Sequence, residues 1–180
     1  MVRYQLGALM KSIVAVALAL STACATASTS GHSFDADSQE IASSALKIFV
    51  DSWNKAAAGN AEGPQLYGSL YWPDAELVDP SGNIWNGGPA IVQMHVDLWK
   101  TAFKGSVVSG VVRNTRRLSP TLMIVDFNLD LKVAGNLPPM IPASNGVVKA
   151  HLKHVMEKRG GDWKVVASQN TFYSDAQPTR

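Results

Sequence analysis

The segment between residues 76 and 103, ELVDPSGNIWNGGPAIVQMHVDLWKTAF, constrains the fold of this chain more than any other stretch. It predicts a strand Ala75–Asp79, a turn, a short strand Ile84–Trp85 and a helix Pro89–Phe103. The sequence Asp-Pro-Ser-Gly at 79–82 favours a turn, because proline fixes φ and glycine permits a positive φ. A proline after two glycines suits the first turn of a helix, where its missing N–H is not needed.

Two further helices are predicted before this segment. From Ser38 onward, apolar side chains recur at spacings of three and four, which gives one buried helix face. Gly59 and Asn60 are expected to end that helix. A shorter helix is predicted over Pro64–Leu70.

Beyond residue 106 the apolar period changes to two, which is typical of half-buried strands. Four long strands are predicted: Val107–Leu118, Thr121–Val133, Val147–Lys158 and Asp162–Tyr173. Residues 134–146 are too rich in proline to form a strand. Three helices followed by antiparallel strands indicate an α+β fold, in which a curved antiparallel sheet wraps around the helices and leaves a conical cavity.

The first 27 residues are typical of an export signal. Arg3 and Lys11 precede an apolar run, Ser12–Leu20, which is too short to remain as a membrane span, and small residues follow it. Cys24, the single cysteine, follows small residues as an acylated cysteine does in a bacterial lipoprotein signal, whereas cleavage near Ala25 or Ala27 would remove it. We therefore expect a periplasmic or secreted protein, either lipid-anchored through Cys24 or without an anchor.

The remaining chain divides into a short tether, one domain and a tail. Residues 28–37 are predicted to be a flexible tether, 38–174 the folded domain and 175–180 a tail. Without Arg3 and Lys11, the 16 basic residues fall to 14, which balance the 14 acidic ones. The balanced charge predicts no nucleic-acid partner and no membrane contact except through a lipid on Cys24.

Motifs for metals and common cofactors are absent from the sequence. There is no H-x-x-x-H or H-E-x-x-H pair, phosphate loop, dinucleotide fingerprint or G-x-S-x-G motif. His151 and His154 are expected on one strand with their rings on opposite faces, so they would not share a metal. The sequence predicts neither a metal site nor a cofactor.

Several of these segments together resemble a known superfamily. The matching pieces are FVDSWN at 49–54, DAELVD at 74–79 with Gly82, the spacing of Gly87, Ile91 and His95, and DWKVVA at 162–167 with Asn170 and Thr171. In this pattern the chain resembles the SnoaL-like proteins of the SgcJ/EcaC type, within the nuclear transport factor 2-like superfamily, over residues 41–172. The resemblance implies a cone-shaped, cystatin-like α+β barrel. It does not imply one activity, because the superfamily holds isomerases, cyclases, dehydratases, hydrolases and binding domains.

His95 and Asp79 are the candidate catalytic residues. His95 shares a helix face with apolar residues, so it is either a hydrogen-bonded core histidine or a cavity-lining acid or base. The resemblance places a histidine on the helix that faces the pocket. Asp79 either holds its turn or serves as a general base near His95, as the resemblance to ketosteroid isomerase, a relative in this superfamily, suggests. No second inward carboxylate is evident, since Asp126 and Asp130 alternate with apolar residues and face water.

The candidate pocket residues are mostly aromatic and are expected to give an apolar site for a flat or hydrophobic small molecule. They are Trp53, Tyr67, Trp85, Trp99, Phe127, His154 and Asn170. His154 is predicted to point inward, where it either contacts a ligand or bonds a neighbouring strand. Asn170 could orient the ligand with one hydrogen bond.

Three functions remain open from the sequence. The first is an exported domain that binds a small hydrophobic or aromatic molecule in the cone. The second is a cofactor-free isomerase or dehydratase that uses His95 and Asp79. The third is a dimeric assembly module, a homodimer joined across the open face of the sheet, with Val111 and Phe127 partly at the interface.

Overall fold

Three helices lie against one six-stranded sheet in the computed structural model, which describes residues 28–135, 137–138 and 141–174, and the side chains from residue 35 onward. The elements are α1 (Ser28–Ala57), α2 (Glu62–Gly68), β1 (Tyr71–Val78), β2 (Ile84–Asn86), α3 (Gly88–Lys100), β3 (Val107–Ser119), β4 (Leu122–Lys132), β5 (Val147–Arg159) and β6 (Asp162–Tyr173). The predicted α+β fold class is confirmed. The export signal with Cys24 and the tail 175–180 lie outside the described residues.

The sheet is curved and open, with the strand order β2-β1-β6-β5-β4-β3. Neighbouring strands are antiparallel except β1 and β6, which are parallel, so the sheet is mixed rather than wholly antiparallel. Parallel pairing needs a long connection, and here the whole segment from β2 to β5 separates the two strands. This pairing brings the end of β1 beside the middle of β6.

The long helix α1 packs on β3 through one apolar face. Its buried residues recur at helical spacing, as predicted: Ala42, Ala45, Phe49, Trp53, Ala56. Asn54 fixes the helix to the strand by two bonds to one residue, since its Nδ2 donates to the Val108 carbonyl at 3.0 Å and its Oδ1 accepts from the Val108 N–H at 2.7 Å. This clamp sets the position of Trp53, the residue that precedes Asn54 in α1.

The start of α1 differs from the prediction. The helix begins at Ser28, so the segment 28–37 belongs to α1 and the predicted tether is wrong. Ser38, taken as the first residue of the helix, is only 1% exposed, and Asp37 forms an ion pair with Arg117 of β3. Residues 37 and 38 are therefore a packed interior turn of the helix, and extending an existing helix requires no new nucleus.

Strand β1 is longer than predicted and ties down the start of α3. It begins at Tyr71 rather than Ala75, because an irregularity in its pairing with β6 between Tyr71 and Glu76 accommodates Pro73. Gly87, with φ of 91°, precedes α3 and donates its N–H to the Ala75 carbonyl at 2.7 Å. Helix α3 is thereby held against β1.

Candidate functional site

A cavity of about 300 Å³ lies between the inner face of the sheet and the helices. Most of its wall is apolar and aromatic, with Phe49, Trp53, Trp85, Phe103 and Phe172 among the lining residues. Exposed lining residues at the β1–β2 turn and after β4 mark where it opens to solvent: Pro80, Ser81, Pro138. The conical cavity predicted from the sequence is therefore present in the fold.

His95, Tyr67 and Tyr71 form a hydrogen-bonded chain at the deep end of the cavity. His95 Nδ1 lies 2.8 Å from the carbonyl oxygen of Ile91, which can only accept, so Nδ1 carries the proton. His95 Nε2 must then accept, and it receives the hydroxyl proton of Tyr67 at 3.0 Å. The Tyr71 hydroxyl, 3.1 Å from that of Tyr67, donates to it in turn.

Burial keeps the chain uncharged. Removal from water lowers the pKa of His95 to about 4, although the bond to Ile91 and the charge of Asp79 act in the opposite direction. Burial, with the neighbouring Tyr71 hydroxyl, holds the pKa of Tyr67 well above its usual value. At neutral pH Tyr67 and His95 therefore give the cavity wall two polar but uncharged groups, and Tyr71, which does not line the cavity, is uncharged as well.

Asp79 lies directly after β1 and organises the turn to β2. Its Oδ1 accepts the backbone N–H groups of Ser81 at 2.8 Å and Asn83 at 3.0 Å. Its Oδ2 accepts from Asn83 Nδ2 at 2.9 Å and from Trp85 Nε1 at 3.0 Å. Partial burial raises the pKa of Asp79, but these four bonds outweigh burial and lower it overall.

Six of the predicted site residues line the cavity together. They are His95, Asp79, Trp53, Tyr67, Trp85 and Asn170. Asn170 lies on β6, and its Oδ1 is buried without a hydrogen-bond partner. The structure thus brings both candidate catalytic residues and four of the candidate pocket residues to one cavity.

The other three predicted pocket residues are buried but do not line this cavity. Trp99 packs edge-on against Trp53, with ring centroids 5.6 Å apart. Phe127 is 1% exposed and meets His154 edge-on. His154 points inward as predicted, but it lies further along β5 than the cavity-lining Ala150 and bonds Ser168 Oγ at 2.9 Å. The alternation of apolar and polar residues along a strand shows to which face of the sheet a side chain points, but not how far along the cavity it lies.

Tyr71 is the polar residue near the cavity that sequence reasoning missed. It precedes a tryptophan and a proline, and it falls between the predicted helix, which ends at Leu70, and the predicted strand, which starts at Ala75. The local pattern held no signal for the contact, because Pro73 argues against a strand at this point and Tyr71 lies beyond the predicted helix. In the structure α2 ends at Gly68, and Tyr71 reaches Tyr67 from the first position of β1.

Two negative findings apply to the part of the chain that the structure describes. No group of three or more histidine, cysteine, aspartate or glutamate side chains there is placed to hold a metal ion. No helix in that part is both long enough and apolar enough to cross a membrane.

Solved structures with the same architecture were found, although no family model and no curated protein matches the chain. An uncharacterized protein from Caulobacter vibrioides with a cystatin-like fold aligns with a TM-score of 0.65 and 20% identity, over 77% of this chain and 92% of that one. A protein of unknown function from Shewanella oneidensis, described as NTF-2 like, aligns with a TM-score of 0.58 and 15% identity, over 73% and 97%. The fold is cystatin-like, of the nuclear transport factor 2-like type.

A third neighbour with this fold carries an activity in its description. A ketosteroid isomerase-like protein from Erwinia carotovora atroseptica aligns with a TM-score of 0.59 and 11% identity, over 77% of this chain and 98% of that one. At such identities the nuclear transport factor 2-like architecture is shared, and the chemistry of this chain must be argued from its own cavity.

Proposed function

We propose that this protein binds a small hydrophobic or aromatic molecule in the cavity between the sheet and α3. The observation that carries the proposal is the cavity itself, about 300 Å³ with a mainly apolar wall, into which a few polar groups project. A chain that needed only a stable core would be expected to fill this space, because protein interiors are close-packed. Nuclear transport factor 2-like folds commonly enclose small molecules, which supports the same reading.

The experiment is a titration with the neutral apolar dye Nile red, followed by its fluorescence. Ala150 lines the cavity from β5, so Ala150→Leu should fill part of the space and weaken binding about tenfold or more. Thr171 lies on the opposite face of the sheet beside lining Phe172, and Thr171→Leu is the matched control. Equal binding by wild type and Ala150→Leu would mean that the dye binds elsewhere.

An enzyme is the second candidate, because His95 and Asp79 line the same cavity. A cofactor-free isomerase or dehydratase needs a group that accepts a proton and another that returns it. Here both ring nitrogens of His95 already form hydrogen bonds within the protein. The Asp79 carboxylate already accepts four hydrogen bonds. Both residues would have to exchange partners on substrate binding. If the enzyme proposal holds, His95→Ala abolishes turnover and leaves ligand affinity largely intact.

We further propose that the chain is a SnoaL-like protein of the SgcJ/EcaC type and that it acts after export. The support is the pattern of residues 41–172 and the signal-like composition of residues 1–27. Lipid anchoring at Cys24 is tested by metabolic labelling with a clickable fatty acid. Label on wild type but not on Cys24→Ala would support the anchor, and unlabelled wild type would leave a secreted or periplasmic protein.

We propose that the protein forms a homodimer across the outer face of the sheet. Val111 on that face is 61% exposed and therefore accessible to a second copy. Phe127 is 1% exposed, so its predicted place at an interface is wrong. Light scattering at micromolar concentration should give twice the monomer mass. Val111→Lys should shift the protein to monomer, and a monomeric wild type would remove the proposal.

A further inference from the structure

The hydrogen-bond donors of the cavity wall are almost all in use. Four N–H or O–H groups of the wall donate to other groups of the protein. The two indole N–H groups do so, that of Trp53 to Ser106 Oγ and that of Trp85 to Asp79. The Tyr67 hydroxyl donates to His95 Nε2, and His95 Nδ1 donates to the Ile91 carbonyl. Among the described side chains that line the cavity, this leaves the Asn170 amide and the Ser81 hydroxyl at the exposed end. A ligand anion or a developing oxyanion needs several convergent donors, and this wall does not supply them.

The charge of the cavity has one sign. Asp79 is the single formally charged residue among the described lining residues, and no lysine or arginine lines the cavity with it. His95, buried and hydrogen-bonded through both nitrogens, stays neutral. The aromatic walls add rings whose faces attract cations. The cavity therefore presents a negative potential to whatever enters it.

Two oxygen-bearing side chains line the cavity where β1 ends. The parallel pairing of β1 with β6 ends with Val78 opposite Gln169, and Asp79 and Asn170 are the next residues of the two segments. Both line the cavity, and Asn170 Oδ1 is buried without a partner. An unpaired buried carbonyl oxygen is costly, and a ligand N–H at this level would satisfy it.

We propose that the preferred ligand is a protonated amine carried on an apolar, ring-sized body. The ammonium group lies at the level of Asp79 and Asn170, and the body lies against the aromatic wall that includes Trp53 and Phe49. This inference rests on the proposed function, that the cavity is a ligand site. It adds that cations bind better than neutral molecules of the same shape, and that carboxylates bind worst.

The attraction between the Asp79 carboxylate and the ligand ammonium group is mainly electrostatic and does not depend on a direct hydrogen bond. The Asp79 carboxylate already accepts four hydrogen bonds, so it has little capacity for a direct bond to the amine. Its charge remains, because the same four bonds lower its pKa and keep it ionised at neutral pH. Opposite charges at a partly buried site attract more strongly than they do in water, and the open end of the cavity lets the ammonium group keep part of its hydration. We therefore expect a preference of about tenfold or more over a neutral isostere.

The test uses three probes with one skeleton: naphthylmethylamine, naphthalenemethanol and naphthoate, each titrated by calorimetry at neutral pH. The expected order of affinity is amine, then alcohol, then carboxylate. Asp79→Asn should weaken binding of the amine more than binding of the alcohol, so that the ratio of the two affinities falls to about one. Binding of the alcohol shows that the variant is folded. Asp130→Asn, on the outer face of β4, is the matched control and should change nothing.

A second variant and a salt series guard against misfolding of the Asp79 variant. Asn170→Leu should weaken binding of the amine more than binding of the alcohol. Raising the concentration of sodium chloride from about 0.02 to about 0.5 M should weaken binding of the amine alone. Binding of the alcohol or naphthoate as tight as the amine would overturn the inference and keep the cavity as a ligand site. Absence of binding by all three probes would overturn the proposed function and the inference with it.

Discussion

Tyr67 donates its hydroxyl proton to His95 Nε2 across 3.0 Å, and this bond joins α2 to α3 at the deep end of the cavity. The histidine is held at its other nitrogen by the Ile91 carbonyl, 2.8 Å away. His95 is therefore a positioned, neutral part of the cavity wall, and its hydrogen bonds contribute to stability as well as to the shape of the site.

Coupling between these two residues can be measured with a double-mutant cycle. Tyr67→Phe leaves His95 Nε2 without its donor in a buried site and should lower the free energy of unfolding by about 1–3 kcal/mol. In the background of His95→Leu the same change should cost less, because the unpaired nitrogen is no longer there. Urea unfolding of the two single variants and the double variant gives the coupling, and strictly additive costs would contradict the bond.

Asp79 should matter for stability through its turn. Asp79→Asn replaces one acceptor oxygen with an N–H₂ group that would face the donors of Asn83 or Trp85. We expect a loss of about 1–2 kcal/mol in the free energy of unfolding, measured by urea denaturation. Asp130→Asn, exposed on β4, serves as control and should stay within about 0.5 kcal/mol of wild type. Equal stabilities of the two variants would show that the turn does not depend on the carboxylate.

The two buried histidines predict how stability changes with acid. Burial lowers the pKa of His95 to about 4 and that of His154 to about 3, while both titrate near their ordinary value of 6.5 in the unfolded chain. Between these values the unfolded state binds more protons, so stability is full above about pH 6.5 and falls toward pH 4. The expected slope is about 1.4 kcal/mol per pH unit for each histidine.

Replacing one histidine should reduce that slope. His154 lies between Phe127 and Tyr71, and His154→Leu removes its titration while keeping an apolar side chain there. Unfolding followed from pH 7 to pH 4.5 should show a shallower decline than wild type. His151→Leu is the comparison, since His151 is partly exposed on the outer face and stacks on Tyr173. Partial burial and the charge of Arg113 lower the pKa of His151 too, so this change should reduce the slope, but by less than His154→Leu does. A decline as steep as wild type in His154→Leu would contradict the assignment of that titration to His154.

The clamp between α1 and β3 should be one of the strongest polar contacts in the fold. Asn54→Ala removes both hydrogen bonds to Val108 and leaves its backbone groups without these partners in a partly buried place. We expect a loss of about 2 kcal/mol. Asn114→Ala, at an exposed position of β3, should be nearly neutral. A small effect at Asn54 would mean that water replaces the amide.

The sequence predicted those features that depend on period and turn chemistry. The apolar face of α1, the hairpin after Asp79 and the four long strands follow from local patterns, and the structure has all of them. The early start of α1 and the parallel pairing of β1 with β6 were not predicted, because both depend on contacts between residues far apart in the chain. A local pattern carries no information about such contacts.

The candidate site was predicted in part for the same reason. Alternation along β5 placed His154 on the inner face, but only the three-dimensional fold shows that Ala150 lies at the cavity and His154 beyond it. The sequence left Asp79 with two roles, and its four hydrogen bonds now favour the turn. Tyr67 was expected among the pocket aromatics, whereas its bond to His95 required α2 and α3 to be packed together.

Binding of a small apolar molecule inside the cavity can be followed through the indole N–H signals of the five tryptophans. Trp53 and Trp85 line the cavity, whereas Trp72 and Trp163 pack with charged side chains outside it. In a titration of ¹⁵N-labelled protein with naphthalenemethanol, we expect saturable shifts of the Trp53 and Trp85 signals, with those of Trp72 and Trp163 unchanged. Shifts confined to Trp72 and Trp163, or no saturable shift at all, would contradict it.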